Sequence, residues 1–177
     1  KLSKLTKVKT AKGRKISSTR WLERQLNDPY VAQAQKDGYR SRAAYKLIEI
    51  DDKYKLLKPG HGVIDLGCAP GGWLQVVSIR TKLGSGSARL VGIDLLETEG
   101  VVGADTFTGD MTDPAMLTAV EAAIGGAADG VLSDMAADTT GHRPTDHLRT
   151  TALLEAALEF ARGIVTDNGL LLAKGFR

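Results

Sequence analysis

The period of the hydrophobic positions changes near residue 60. Residues 1–20 carry no apolar period and are rich in Lys, Ser and Thr, which predicts a flexible arm. A helical pattern starts near Ser18–Thr19, with Trp21, Leu22, Leu26 and Tyr30 on its spacing. Asp28-Pro29 interrupts it, so Pro29 is expected to open a second, short helix. Over residues 41–55 Ala44, Leu47, Ile48 and Tyr54 recur at helical spacing, with Ser41 as the expected cap. Lys58-Pro59-Gly60-His61-Gly62 reads as a turn.

Beyond that turn, short apolar runs alternate with helical stretches. Strands are predicted at Val63–Leu66, Arg89–Asp94, Thr106-Phe107, Gly130–Asp134 and Leu170–Lys174. Helices are predicted over Gly72–Leu83, Met116–Ile124 and residues 147–165, with a loop at Gly84–Ser87. Strands alternating with helices imply an α/β fold, a mostly parallel twisted sheet with helices on both faces. No internal repeat is visible.

Composition narrows the picture. A chain of 177 residues suits one folded domain, here 21–177, behind a basic N-terminal arm over 1–20. With 42% hydrophobic residues but only 5% aromatic, the core must be built mainly from Val, Leu, Ile and Ala. No apolar run approaches the roughly 18 residues of a membrane span, and the basic N-terminus lacks the apolar stretch of a secretory signal. The lone Cys68 excludes an intramolecular disulfide framework. The expectation is a cytoplasmic, monomeric protein with no metal and no membrane contact.

Charge adds a partner. The net charge of +3 hides a division: residues 1–60 hold 16 Lys and Arg against 6 Asp and Glu, a net of +10, and residues 61–177 hold 8 against 15, a net of −7. Nine of those basic residues lie within the first 24 positions, against Glu23 alone. A basic face joined to an acidic body points to a polyanion such as RNA. Arg40, Arg42 and Lys46 lie close together and lead towards the first strand.

The candidate chemistry sits at strand ends. The first strand runs into Asp65-Leu-Gly-Cys-Ala-Pro-Gly-Gly-Trp73, where Gly67, Gly71 and Gly72 allow a sharp turn and close approach of a ligand. Trp73 either packs in the core or lends its backbone to the pocket. The spacing G-x-x-x-G-G differs from the G-x-G-x-x-G of dinucleotide sites. Asp94 ends the second strand, where a carboxylate can accept both hydroxyls of a ribose. Asp110 follows the third strand and could accept an adenine amino group. Acidic residues at three successive strand ends, Asp65, Asp94 and Asp110, suit a nucleoside bearing a cationic sulfonium better than a pyrophosphate. The fourth predicted strand ends at Asp134 and the fifth at Lys174, an ionisable residue closing an apolar run. His142, Arg143 and Pro144 read as a loop after the fourth strand that could act as a lid.

Taken together these residues resemble the FtsJ family of ribosomal RNA 2′-O-ribose methyltransferases. The resemblance runs from about Trp21 to Lys174. It is carried by Gly38-Tyr-Arg-Ser-Arg-Ala-Ala-Tyr-Lys-Leu47, Asp65–Trp73, Asp94-Leu95-Leu96, Gly109-Asp110, Ser133-Asp134-Met135-Ala136 and the strand ending at Lys174. It implies a Rossmann-like class I fold, S-adenosylmethionine as cofactor held by Gly67, Gly71, Gly72, Trp73, Asp94, Asp110 and Asp134, and Lys46, Asp134 and Lys174 as catalytic residues. It implies RNA contact by Arg40, Arg42 and Lys46, and as substrate 23S ribosomal RNA in the large ribosomal subunit, at a uridine of the A-loop. Lys174 is then expected to orient or deprotonate the hydroxyl, the second role needing a lowered pKa from partial burial and the charge of Lys46. The alternatives are a methyltransferase for another RNA, a small molecule or a protein, and a cofactor- and RNA-binding protein of this fold without turnover. The family's catalytic set closes with a glutamate on a later strand, and its sheet has seven strands. Five are predicted before Arg177, so the C-terminal strands are expected to lie outside this sequence.

Overall fold

Alternation within each strand divides the core into two layers. Val63 and Leu90 point to one face of the sheet and Ile64, Leu66, Val91 and Ile93 to the other, as the two-residue period of a strand requires. Both faces are apolar, which is the signature of a parallel sheet buried on both sides. The computed structural model describes Thr19, Glu23 and residues 27–136 and 142–175. The predicted arm over 1–20, and Trp21, Leu22 and Leu26, lie outside the described residues apart from Thr19.

Five parallel strands, β1 (Gly62–Leu66), β2 (Arg89–Asp94), β3 (Asp105–Thr108), β4 (Ala128–Ser133) and β5 (Val165–Ala173), lie in the order β3-β2-β1-β4-β5. The order reverses between β1 and β4, so the crevice beyond their carboxyl ends is where such sheets bind ligands. One face is covered by α2 (Ala43–Tyr54) and α3 (Gly72–Thr81), whose Leu47, Trp73, Leu74 and Val77 meet Val63 and Leu132. The other is covered by α4 (Pro114–Ile124) and α5 (Arg143–Ile164), whose Val120, Ile124, Ala157 and Ala161 meet Ile64 and Val131. The short α1 (Pro29–Lys36) precedes α2.

Local chemistry sets the boundaries. Asp28 caps α1 by accepting from the Tyr30 amide, and Asp113 caps α4 by accepting from Ala115, each followed by proline in the first turn. This extends α4 two residues beyond the apolar pattern. Helix α5 likewise begins at Arg143, so Arg143 and Pro144 form its first turn and not a loop, with His142 at its N-cap. Ser41 does not cap α2: the N-cap is Arg42, with no side-chain hydrogen bond, and Ser41 hydroxyl lies where a Cβ on Gly72 would collide with it. Tyr54 is exposed rather than buried, with the Lys53 ammonium 5.1 Å from its ring centroid. Strand β5 starts earlier than its apolar run because Val165 already pairs with Ala128, the register shifting before Leu170 meets Gly130. No helix among the described residues is long and apolar enough to cross a membrane.

One buried carboxylate ties α2 to α3. Asp51, 2% exposed, accepts from the Leu57 amide at 2.8 Å and faces Arg80 at 3.4 Å, while Arg80 also reaches Asp52 at 2.8 Å. Asp51→Ala orphans a buried amide, so chemical denaturation should show a loss of about 1–3 kcal/mol. A change within the scatter of surface substitutions would show that Arg80 and Asp52 hold this corner without Asp51.

Candidate functional site

The register of the sheet brings the strand-end residues together. Ser133 pairs with Ala173, so the next residues, Asp134 and Lys174, emerge side by side. The Lys174 amide donates to the Ser133 carbonyl at 2.8 Å, carrying the ladder one step past β5. The Lys174 ammonium forms an ion pair with Asp134 Oδ1, both side chains partly buried.

A cavity of about 790 Å³ opens beside this pair, at the carboxyl ends of β1, β2 and β4. Gly67 and Ala69 come from the turn after β1, Asp94, Leu95 and Leu96 from the end of β2, and Asp134 and Met135 from the end of β4. Arg149 and Leu153 of α5 close its side. Gly67 has φ +76, and a Cβ there would stand 2.6 Å from Met135 Cγ, so both the backbone and the space demand glycine. Leu95 and Leu96 are about 70% exposed, an apolar surface beside a polar floor.

The strand ends here are acidic. Asp94 Oδ2 accepts from the Ala69 amide and Oδ1 from the Leu96 amide, both at 2.9 Å, which locks the carboxylate in place and leaves further lone pairs for a ligand hydroxyl. Asp65 is fully buried, and neither of its oxygens has a hydrogen-bond partner among the described residues. Burial, then the neighbouring Asp134 and Asp94 carboxylates, push its pKa well above the ordinary 3.8. A buried carboxyl without a donor, raised by the nearby Asp94 and Asp134 carboxylates, suits a cationic ligand and opposes a phosphate.

The structure separates the other expected site residues. Asp110 is exposed, away from the cavity lining, and its Oδ1 accepts from both the amide and the hydroxyl of Thr112 at 2.8 Å, which holds its pKa below the ordinary value. Thr112 itself lines the cavity. Trp73 turns its side chain into the core, 5% exposed, donating its ring N–H to the Ala43 carbonyl at 2.9 Å. Gly71 (φ +107) and Gly72 open α3 against Arg40 and Ser41 rather than lining the cavity. Lys46 is exposed on α2 and makes no ion pair among the described residues. Arg42 pairs with Asp28 at 2.7 Å, and the Arg40 guanidinium donates to the Glu99 and Gly100 carbonyls. Cys68 is buried, its thiol pushed up to about 12 chiefly by burial, which keeps it unreactive.

Met135, Leu95, Leu96, Leu153 and Arg149 line the cavity but were not expected from the sequence as site residues. The apolar pair directly after Asp94 was the one readable signal. Arg149 and Leu153 lie one helical turn apart on α5 with nothing in the pattern to single them out.

A parallel sheet with carboxylates gathered at its switch point defines an α/β protein built to hold a nucleoside-like cation. The comparisons narrow that class. The profile of the FtsJ-like methyltransferase family matches residues 39–177, and the chain belongs to that family. It is 57% identical over 171 residues to the ribosomal RNA large subunit methyltransferase E of Maricaulis maris, and 55% identical over 172 residues to that of Rhodospirillum rubrum. These alignments cover 97% of this chain but 60% and 65% of the relatives, so the chain spans less than two thirds of their length. Among solved structures, a protein described as a ribosomal RNA methyltransferase from Plasmodium falciparum superposes with a TM-score of 0.71 at 32% identity, covering 78% of this chain and 79% of that one.

Asp65 yields a prediction with a definite sign. Its folded pKa is raised, so the folded protein holds a proton that the unfolded chain releases near 3.8. That contribution is complete below the unfolded value and is lost as pH rises through the folded one. Asp65→Asn should therefore melt higher than the parent at neutral pH, the gap widening with pH in a thermal series from pH 4 to 8. Parallel curves would show that Asp65 has no raised pKa.

Proposed function

We propose that this protein transfers a methyl group from S-adenosylmethionine to a ribose 2′-hydroxyl of large-subunit ribosomal RNA, at a uridine of the 23S A-loop. The observation that carries this reading is the ion pair of Lys174 with Asp134, which lines the same cavity as Asp94. Membership of the FtsJ-like family and the names of its relatives support the same chemistry and the RNA class.

The residues present fit the cofactor. Asp94 would accept from the ribose hydroxyls, Asp65 and Asp134 would balance the positive charges, and the Leu95-Leu96 pair would cover an apolar ring face. Gly67 would let the backbone approach, while Gly71, Gly72 and Trp73 would act from behind, shaping the start of α3. Asp110 would act through Thr112, which does reach the cavity. When bound, S-adenosylmethionine supplies an electrophilic methyl group on a sulfonium.

The chain's own task is alignment. A 2′-hydroxyl is a weak nucleophile, and fixing it in line with the methyl group supplies much of the rate. Lys174 is held by Asp134 from one side and by the strand ladder from the other, so its ammonium has a defined direction beside the cavity. There it would orient the hydroxyl oxygen; as the oxygen–carbon bond formed, the carbon–sulfur bond of the donor would break with its electron pair left on sulfur, and the hydroxyl proton would pass to solvent water. Substrate RNA would approach over the basic first 60 residues, with Lys46 an exposed cation of the 40–46 cluster, whereas Arg42 pairs with Asp28 and the Arg40 guanidinium donates to backbone carbonyls. Arg40 and Arg42 would have to exchange internal partners to meet a phosphate. The protein would work as a cytoplasmic monomer, with Lys46 completing the catalytic set.

The test is methylation of large ribosomal subunits with labelled S-adenosylmethionine, the label being mapped to a ribose by nuclease digestion. Lys174→Ala should lower turnover by about 10²–10⁴-fold, and Asp134→Ala should lower it too, with cofactor affinity of the lysine variant unchanged. Wild-type turnover in both variants would refute the assignment. Cofactor binding by the parent with no label in RNA would favour a binding module without turnover.

A further inference from the structure

Arg40 was expected from the sequence to touch RNA, yet its hydrogen bonds all point inward. Its backbone amide donates to Gln75 Oε1 at 2.9 Å, and Gln75 Nε2 donates to the Gly38 carbonyl at 2.9 Å, which pins residues 38–40 to the first turn of α3. From that anchor the side chain crosses Gly71. A Cβ at Gly71 would stand 2.6 Å from Arg40 Nη1 and 3.3 Å from its Cδ. The guanidinium then ends on the segment after β2, with Nη1 donating to the Glu99 carbonyl and Nη2 to the Gly100 carbonyl at 2.9 Å. Three segments distant in sequence thus meet on one side chain.

We propose that Arg40 is a positioning residue for the cofactor cavity, latching the loop after β2 to the glycine turn after β1. The proposal rests on the cavity being the cofactor site. The loop matters because it begins with Asp94, Leu95 and Leu96, all of which line the cavity. Its other side-chain ties lie nearer β2, at Asp94 to Leu96 and at Cys68 to Thr98, a long 3.7 Å contact. Arg40 holds its far side. The latch needs a planar fork reaching two carbonyls at once, which a lysine cannot reproduce despite carrying the same charge. It also explains the absence of a side chain at Gly71: besides its φ of +107, any Cβ would displace the guanidinium. Losing the latch lets the loop leave its cavity-lining position, and apparent affinity falls with the fraction of molecules that keep it.

The loop carries its own reporter. Glu97 and Glu99 are the Glu residues between Asp94 and Ala104, so a glutamate-specific protease reads loop opening directly. We expect Arg40→Lys and Arg40→Ala to be cut at these sites about tenfold faster than the parent under native conditions, with S-adenosylmethionine affinity weakened by a similar factor. The affinity of Arg40→Lys for ribosomal RNA at fixed salt should match the parent, since charge is retained. Melting curves confirm that the lysine variant is folded. Cleavage of Arg40→Lys at the parental rate would overturn the latch, as would a loss confined to RNA affinity. If the parent itself binds no S-adenosylmethionine, the reading of the cavity fails, while the cleavage rates still decide whether the latch exists.

Discussion

Asp65 sits at the end of the central strand, out of reach of water, with no donor among the described residues to satisfy either oxygen. An ionised carboxylate in that position is costly, and the ordinary outcome is that it keeps a proton. Two more carboxylates, Asp94 and Asp134, stand close enough to raise its pKa further. Nothing in the packing requires an acid there. Val63, two residues earlier on the same face, is a simple apolar core residue. A protonated acid held beside two further carboxylates therefore reads as a site that a bound cation would ionise, at the sheet position where the fold leaves a crevice.

The surrounding fold keeps those charges where they are. Both sides of β1 are fully paired, to β2 and to β4, so its end cannot shift without disturbing the buried ladder. Asp94 is locked by two backbone amides. Asp134 follows a β4 that is held in turn by β5, and that register delivers Lys174 beside it. Parallel pairing does what a loop could not: it converts residues forty positions apart in sequence into neighbours with fixed directions. The glycines of the turn are needed where side chains already occupy the space, as Met135 does against Gly67 and Arg40 against Gly71.

Much of this is legible in the sequence. The five strands, the parallel α/β class and the placement of Asp94, Asp134 and Lys174 at strand ends follow from short apolar runs that stop at an ionisable residue. Helix starts were read late at α4 and α5 because proline and the preceding cap, not hydrophobic spacing, decide them. Long-range contacts were beyond the pattern. Nothing local distinguishes an arginine that binds phosphate from Arg40, whose acceptors lie sixty residues away, nor a tryptophan that lines a pocket from Trp73, which bonds to α2. Asp110 was placed correctly after β3, but its turn with Thr112 faces it outward.

The buried carboxyl of Asp65, beside Asp94 and Asp134, is answered by a cationic ligand in this reading. If so, binding should ionise Asp65 and release its proton. Calorimetric titration of the intact protein with S-adenosylmethionine, in buffers of different ionisation enthalpy, measures that proton directly. Across a series from pH 5 to 8, net proton release is expected wherever the free protein's Asp65 holds its proton, and it should disappear in Asp65→Asn. Binding with no proton release anywhere in that range, or release unchanged by the substitution, would contradict it.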